Sequence, residues 1–387
     1  MSDMSQRRYD LDWLRIAAFG LLIFYHIGMF YVSWPWHVKS SHAGPLLQPL
    51  MLLTSPWRLA LLFLIAGCAT RFMADRMARG RMAATRSKRL LLPLLFGMLV
   101  IVPPQTYCEI VEKLGYAEGW ASFYRKYVSF YGGWRTNGKP LIVPTWNHLW
   151  FVAYLWVYTM IVIALRPVLH ALPMKGVAAS LRQPLAVLIL PPLFVGLLRL
   201  TLRPVFGETH ALLDDWYLHA LYMAMFLFGY GIAKAEGIWL AIERLRWIAL
   251  GVAVTTYAAM VWAVVTNFGG PARPFIWALD QWTWILALLG FAYRWLRQGK
   301  LTDSPARRYL TAAIFPFYIL HQTVIVVAGH TLTPLGLPAW AEGVILVGVT
   351  VAACCGGYEI VRRVAWLRPL FGLRTSQIRS AQSGWSR

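Results

Sequence analysis

Ten apolar runs, at roughly 13–33, 53–71, 90–108, 148–165, 184–202, 216–233, 247–268, 274–293, 310–331 and 341–360, dominate this chain. A run of about 20 apolar residues is the length that crosses the hydrocarbon core of a bilayer as a helix. Only helices and closed barrels can satisfy their own backbone there. Only 14% of the residues are charged, against about 25% in a typical soluble domain. The expected fold is therefore an all-α polytopic membrane protein with about ten transmembrane helices. Pro191 and Pro192 interrupt the fifth run, and Asp280 and Gln281 sit among tryptophans in the eighth. The first run starts at Trp13 and continues past residue 30 with no small-residue cleavage pattern after it, so no cleavable signal is expected.

Ten crossings put both termini on one side, and the basic residues test that arrangement. Of 37 Lys and Arg, 26 fall on the terminal side of this topology, nine fall on the other, and Arg15 and Arg58 lie inside spans. The positive-inside rule then makes both termini cytoplasmic. The formal charge of +21 follows from bases facing an anionic inner leaflet, with no call on nucleic acid. The expected layout is a single transmembrane domain over 1–372, a periplasmic segment at 109–147 and a cytoplasmic tail at 373–387. The periplasmic segment is rich in aromatic residues, and its first part, 109–131, reads as an interfacial helix.

Cys68, Cys108, Cys354 and Cys355 lie in or at the ends of apolar runs without CxxC spacing, as buried small hydrophobes do. No metal is expected. Phosphate loops, dinucleotide fingerprints, zinc-protease motifs and nucleophile elbows are absent. Gly67, Gly229 and Gly231 read as close-packing positions.

Polar groups inside the spans carry the chemistry. Arg15 and His26 are eleven residues apart, about 16 Å along a helix and 20° from a whole number of turns, so they share a face. That face offers a cation near the inner side and an acid–base group in the outer half. Asp12 is suited either to cap this helix or to pair with Arg15. His148 opens the fourth run within Pro144-Thr-Trp146-Asn147-His148, at a depth comparable with His26. His321 falls near mid-membrane, five residues after Pro316, where an unpaired ring would be costly. Asp280 is the acid set furthest inside a run, about a turn below the outer surface and open to water there.

These residues carry a resemblance. Asp10-Leu-Asp12-Trp-Leu-Arg15 followed by Tyr25-His26 is similar to the opening of the membrane acyltransferase 3 family, whose first helix has an Arg, ten residues, then a His. The basic run ending Arg86-Ser-Lys-Arg89, the Asn147-His-Leu-Trp-Phe151 run, the Phe317-Tyr-Ile-Leu-His321 run and Tyr358-Glu359 through Gly372 also fit, covering nearly the whole chain. Tyr31 to Ser40 resembles a subgroup that succinylates periplasmic glucans. Ala66 stands where the family often has serine, which removes any hydroxyl role at that position.

The resemblance implies a bacterial inner-membrane O-acyltransferase. It would move an acyl group, succinyl in that subgroup, from cytoplasmic acyl-CoA to a carbohydrate hydroxyl on the far side. Imidazole titrates near neutrality and suits general-base work, so His26 is expected to deprotonate the acceptor hydroxyl. Arg15 is expected to join His26 in the catalytic site, holding a donor phosphate or neutralising a carboxylate near the pocket, and Arg86 and Arg89 to bind the donor at its basic inner mouth. His148, His321, Trp146, Asn147 and Asp280 are expected second-site or acceptor residues. Acetyl transfer to another envelope carbohydrate is the near alternative. A transporter or ion-coupled permease is the distant one, and the chain offers no internal repeat to support it.

Overall fold

The structure is a computed structural model and describes residues 8–136, 138–171, 183–268, 270–297 and 304–374. Most of the expected cytoplasmic tail, 375–387, lies outside the described residues. Apart from a two-stranded hairpin, β1 (Arg135–Thr136) with β2 (Lys139–Pro140), the regular structure is helical. The helices are α1 (Tyr9–Tyr31), α2 (Gln48–Thr54), α3 (Arg58–Arg76), α4 (Arg79–Phe96), α5 (Pro103–Leu114), α6 (Gly119–Val128), α7 (Trp150–Ala171) and α8 (Pro184–Thr201). They continue with α9 (Arg203–Phe206), α10 (Trp216–Ile232), α11 (Glu236–Val265), α12 (Arg273–Leu296), α13 (Pro305–Leu332), α14 (Ala339–Arg363) and α15 (Leu367–Leu370).

Nine helical stretches among the described residues are long and apolar enough to cross a membrane, which makes this a multi-pass membrane protein. The tenth expected span, 216–233, forms α10, which has only 17 residues. Nine of those residues are buried, so the protein covers much of the helix.

The chain divides into two compact units. One comprises Met1–Leu22, Gln48–Ala83 and Val157–Thr311. Within it α3 and α10 meet backbone to backbone. A Cβ on Gly67 would lie 1.9 Å from the Phe226 carbonyl oxygen, and one on Gly229 2.0 Å from that of Leu64. Small residues allow such approach where no hydrophobic drive separates helix from lipid. Gly231 meets nothing within 4 Å, so its close-packing expectation does not hold. α11 and α12 pack along each other in the same unit, and the indole N–H of Trp282 donates to the Val187 carbonyl at 2.7 Å.

The other unit comprises Ile23–Leu47, Ala84–Trp156 and Ala312–Arg387. Its core includes Ile27 and Phe30 of α1, Ile325 and Val326 of α13, and Leu346 of α14. Here the stretch Arg79–Leu114 is much longer than the expected third span. It passes through a π-turn, Gly97–Ile101, just before Pro103 and Pro104. Pro103 has no N–H for the Leu99 carbonyl, and the Val102 N–H reaches back to Gly97 instead of Met98. The two released carbonyls are taken up by α6: Tyr124 donates to Leu99 at 3.0 Å and Tyr127 to Met98 at 2.9 Å. The single helix expected over 109–131 is broken, because Gly115 and Gly119 take φ of 62° and 79° and end α5 before α6 starts.

Candidate functional site

All of the second unit's buried histidines draw on α13. The Nδ1 of His26 lies 2.8 Å from the Nε2 of His321. Their planes differ by 2°, with ring centroids 4.9 Å apart. A centroid separation that long beside so short an N···N distance means rings set end to end in nearly one plane. That geometry aims the in-plane N–H of one ring at the in-plane lone pair of the other.

The proton positions follow from the acceptors. His321 Nδ1 faces the carbonyl oxygens of Tyr318 at 2.8 Å and Phe317 at 3.2 Å, which only accept, so in a neutral His321 the proton is on Nδ1. Its Nε2 then accepts, and His26 Nδ1–H donates to it. The other lone pair of the neutral pair is then on His26 Nε2. His321 is completely buried, while His26 is half-buried.

The same reasoning orders a longer chain of side chains beside this pair. Thr323 donates to the Ile101 carbonyl at 2.8 Å, so its oxygen accepts from Gln105 Nε2 at 2.6 Å. Gln105 Oε1 accordingly accepts from Gln322 Nε2 at 3.0 Å and from Asn147 Nδ2 at 3.1 Å. The other N–H of Gln322 donates to His37 Nε2 at 3.0 Å, which puts the His37 proton on Nδ1, 2.5 Å from Glu109 Oε2. Lys113 closes the chain on Glu109 Oε1 at 2.6 Å. His148 donates from Nε2 to the Ile319 carbonyl at 3.1 Å, accepts a long 3.5 Å contact from Gln105, and stands edge-on to His321 with centroids 5.2 Å apart.

Local structure explains the presentation. Gln105 N–H bonds to Val102 O, one residue short of the α-helical acceptor, which leaves Ile101 O for Thr323. Tyr127, whose proton goes to Met98, accepts from the Thr145 N–H at 3.1 Å and so fixes the entry to the turn Asn147–Leu149. His37 rides on the loop after α1, which is seated by three side chains. Ser40 donates to the buried Glu342 at 2.6 Å, His42 Nε2 donates to Leu337 O at 2.8 Å, and Lys39 Nζ donates to Met29 O and Val32 O, each at 2.6 Å. Lys39 thus satisfies carbonyls at the C-terminal end of α1.

Of the residues expected from sequence, His26, His148, His321 and Asn147 come together in this unit. Trp146 immediately precedes the turn and is half-buried. Arg86 and Arg89 lie on α4 in the same unit, and Arg89 Nε donates to Gly372 O at 3.3 Å. Arg15 and Asp280 belong to the first unit. Asp12 lies within the first turn of α1 rather than before it, so it is not the cap. Its carboxylate pairs with Arg307 at 2.8 Å and Arg15 at 3.6 Å. Asp280 is fully buried rather than open to water. Its Oδ1 is 3.5 Å from Thr256 Oγ1, and Oδ2 has no hydrogen-bond partner among the described residues.

Sequence reasoning did not single out His37, Gln105, Glu109 or Gln322. Gln105, Glu109 and Lys113 recur every fourth residue, a polar stripe on one helix face. The third apolar run ends at 108, which divides this stripe between a span and its connector. Among the described residues no group of three or more His, Cys, Asp and Glu is placed to hold a metal ion.

Comparison with known proteins bears on this arrangement. "Glucans biosynthesis protein C" of Escherichia coli SMS-3-5 is 29% identical over 155 residues, and that of strain K12 is 28% identical over the same length. These alignments take in 40% of this chain and 38% of each relative, so the chain matches well under half the length of the curated relatives. No solved structure matches. The acyltransferase domain model of the acyltransferase 3 family matches residues 8–359. With nearly all of its length matched, including the segments that carry both the His26–His321 pair and the amide chain beside it, this protein belongs to the acyltransferase 3 family, whose general activity is acyl transfer.

Proposed function

We propose that the protein is a membrane-bound O-acyltransferase of the bacterial inner membrane, with both termini cytoplasmic. It moves an acyl group, succinyl by preference, from cytoplasmic acyl-CoA to a hydroxyl of a periplasmic glucan. The distant relationship to a glucan biosynthesis protein supports the acceptor class, and the split of basic residues supports the orientation. The observation that carries the reading is the coplanar His26–His321 pair, which presents an unprotonated Nε2 from a half-buried imidazole.

In this mechanism His26 Nε2 takes the hydroxyl proton as the acceptor oxygen attacks the thioester carbonyl carbon. The tetrahedral adduct collapses, the C–S bond breaks, and the thiolate recovers that proton from Nε2–H. One ester and one thiol result. His321 never meets substrate; it holds the His26 tautomer and shares the charge of the transient imidazolium. Arg15 binds the donor, and Arg86 and Arg89 take part in donor binding through charge-assisted contacts. His148, Trp146, Asn147 and Asp280 stand outside the proton path.

Purified protein in liposomes with succinyl-CoA and glucan tests this reading. Transfer should add about 100 Da per site, where acetylation adds about 42 Da, as follows from replacing one hydrogen by the acyl group. His26→Ala should lower kcat by about 100-fold or more, and His321→Ala by less, with partial recovery in His321→Asn, whose side chain can still accept from His26. Full activity of folded His26→Ala sinks the mechanism. Substrate flux without acyl transfer supports a permease instead.

A further inference from the structure

The amide of Gln322 is locked in one orientation. Both of its N–H groups are committed, to His37 Nε2 and Gln105 Oε1. Rotating it by half a turn would set Oε1 against a ring lone pair and another carbonyl oxygen, two contacts between acceptors. The lock is anchored at both ends: at Ile101 O through Thr323 and Gln105, and at Glu109, held by Lys113, through His37. What remains of Gln322 is a single acceptor. Its Oε1 accepts no hydrogen bond from any described residue, although the side chain is 97% buried in an otherwise satisfied network. The oxygen is not one of the buried side-chain atoms that lack a partner, so it keeps contact with solvent and is open to a ligand donor.

Its surroundings indicate the ligand. Gln322 follows His321, the partner of His26. His37, which locks it, adjoins Trp36, and the Trp36 ring lies 6.4 Å from that of His26. An indole beside the base offers an apolar face, and the fixed carbonyl offers a place for a donor. A pyranose has both complements, a C–H face and hydroxyl groups.

We propose that Gln322 is an acceptor-binding residue: its Oε1 takes a hydrogen bond from a hydroxyl of the carbohydrate other than the one acylated, and His37 and Glu109 are positioning residues that hold its amide. This rests on the carbohydrate O-acyltransferase reading above and names the contact that orients the sugar there. A locked acceptor rejects an analogue lacking the hydroxyl, because the bound sugar then covers the oxygen without pairing it.

Kinetics of the full-length protein in liposomes test it, using a glucan oligosaccharide and its analogues with single hydroxyls replaced by hydrogen. With the wild type, one analogue altered away from the acylation position should lose roughly tenfold in kcat/KM, the worth of one hydrogen bond. With Gln322→Met the parent sugar should fall to the analogue's level, the analogue should lose nothing more, and KM for acyl-CoA should stay put. His37→Ala, which frees the amide to rotate, should erode the same discrimination and serves if Gln322→Met does not yield monodisperse protein. Equal losses for every analogue in wild type and variants overturn the proposal while leaving the acyltransferase reading intact. So does a rise in the KM for acyl-CoA as large as that for the sugar. A wild type that acylates no carbohydrate removes both.

Discussion

Lys39 departs from an ordinary surface lysine. Its ammonium donates to two carbonyls at the end of α1, yet burial, with the Lys113 charge adding to it, pushes its pKa down to about 8. The unfolded chain would hold this proton up to an ordinary lysine value of about 10.4. Between the two values the unfolded state binds more protons, so this group's penalty on folding is full below about 8 and fades as pH rises toward the unfolded value. Timed acetic anhydride labelling between pH 6 and 10, read by peptide mass spectrometry, should give Lys39 a midpoint near 8. A midpoint above about 10 would show an ordinary solvated amine. His37, two residues earlier, shows what single residues conceal in sequence. His26 announced itself by its distance from Arg15, whereas His37 sat in a loop that looked like a connector. Its partner Glu109 lies 72 positions away, and no local pattern records a pairing of that span.

Among elements, α3 and α10 give the plainest case of sequence meaning resolved by packing. Gly67, Gly229 and Gly231 looked alike as letters, but only the first two sit where a Cβ would overlap a facing carbonyl. Gly229→Val should therefore lower the midpoint of thermal unfolding in detergent, with an overpacking cost of about 1–3 kcal/mol. Gly231→Ala should leave it within error. A Gly229→Val protein melting with the wild type would mean the seam opens without cost. The composite stretch from α4 through α5 was foreseen only in part for a related reason. Its apolar run is legible, but its π-turn and prolines release carbonyls whose acceptance by Tyr124 and Tyr127 depends on a separate helix, α6.

At the scale of the molecule, hydropathy foretold an all-helical multi-pass protein because each span must satisfy its own backbone. The proton-ordered site was legible only in part: His26, His148, His321 and Asn147 stand out in the sequence, but their bonding to one another and to His37, Gln105, Glu109 and Gln322 joins segments far apart in the chain. The membrane-spanning stretches also differ widely in length, from 18 to 36 residues. The shortest, α8, is the most open to its environment, with 22% of its apolar window buried. At 1.5 Å per residue it rises about 27 Å, short of a hydrocarbon core of about 30 Å. Lipid beside α8 must compress to meet it, at a modest elastic cost per ångström of mismatch. The protein would then carry a shallow dent on one flank of its annulus and prefer surroundings already thin. Turnover in phosphatidylcholine vesicles of graded acyl-chain length should peak below the thickness of an average bilayer, and a peak in the thickest vesicles would mean that α8 recruits its flanking residues instead.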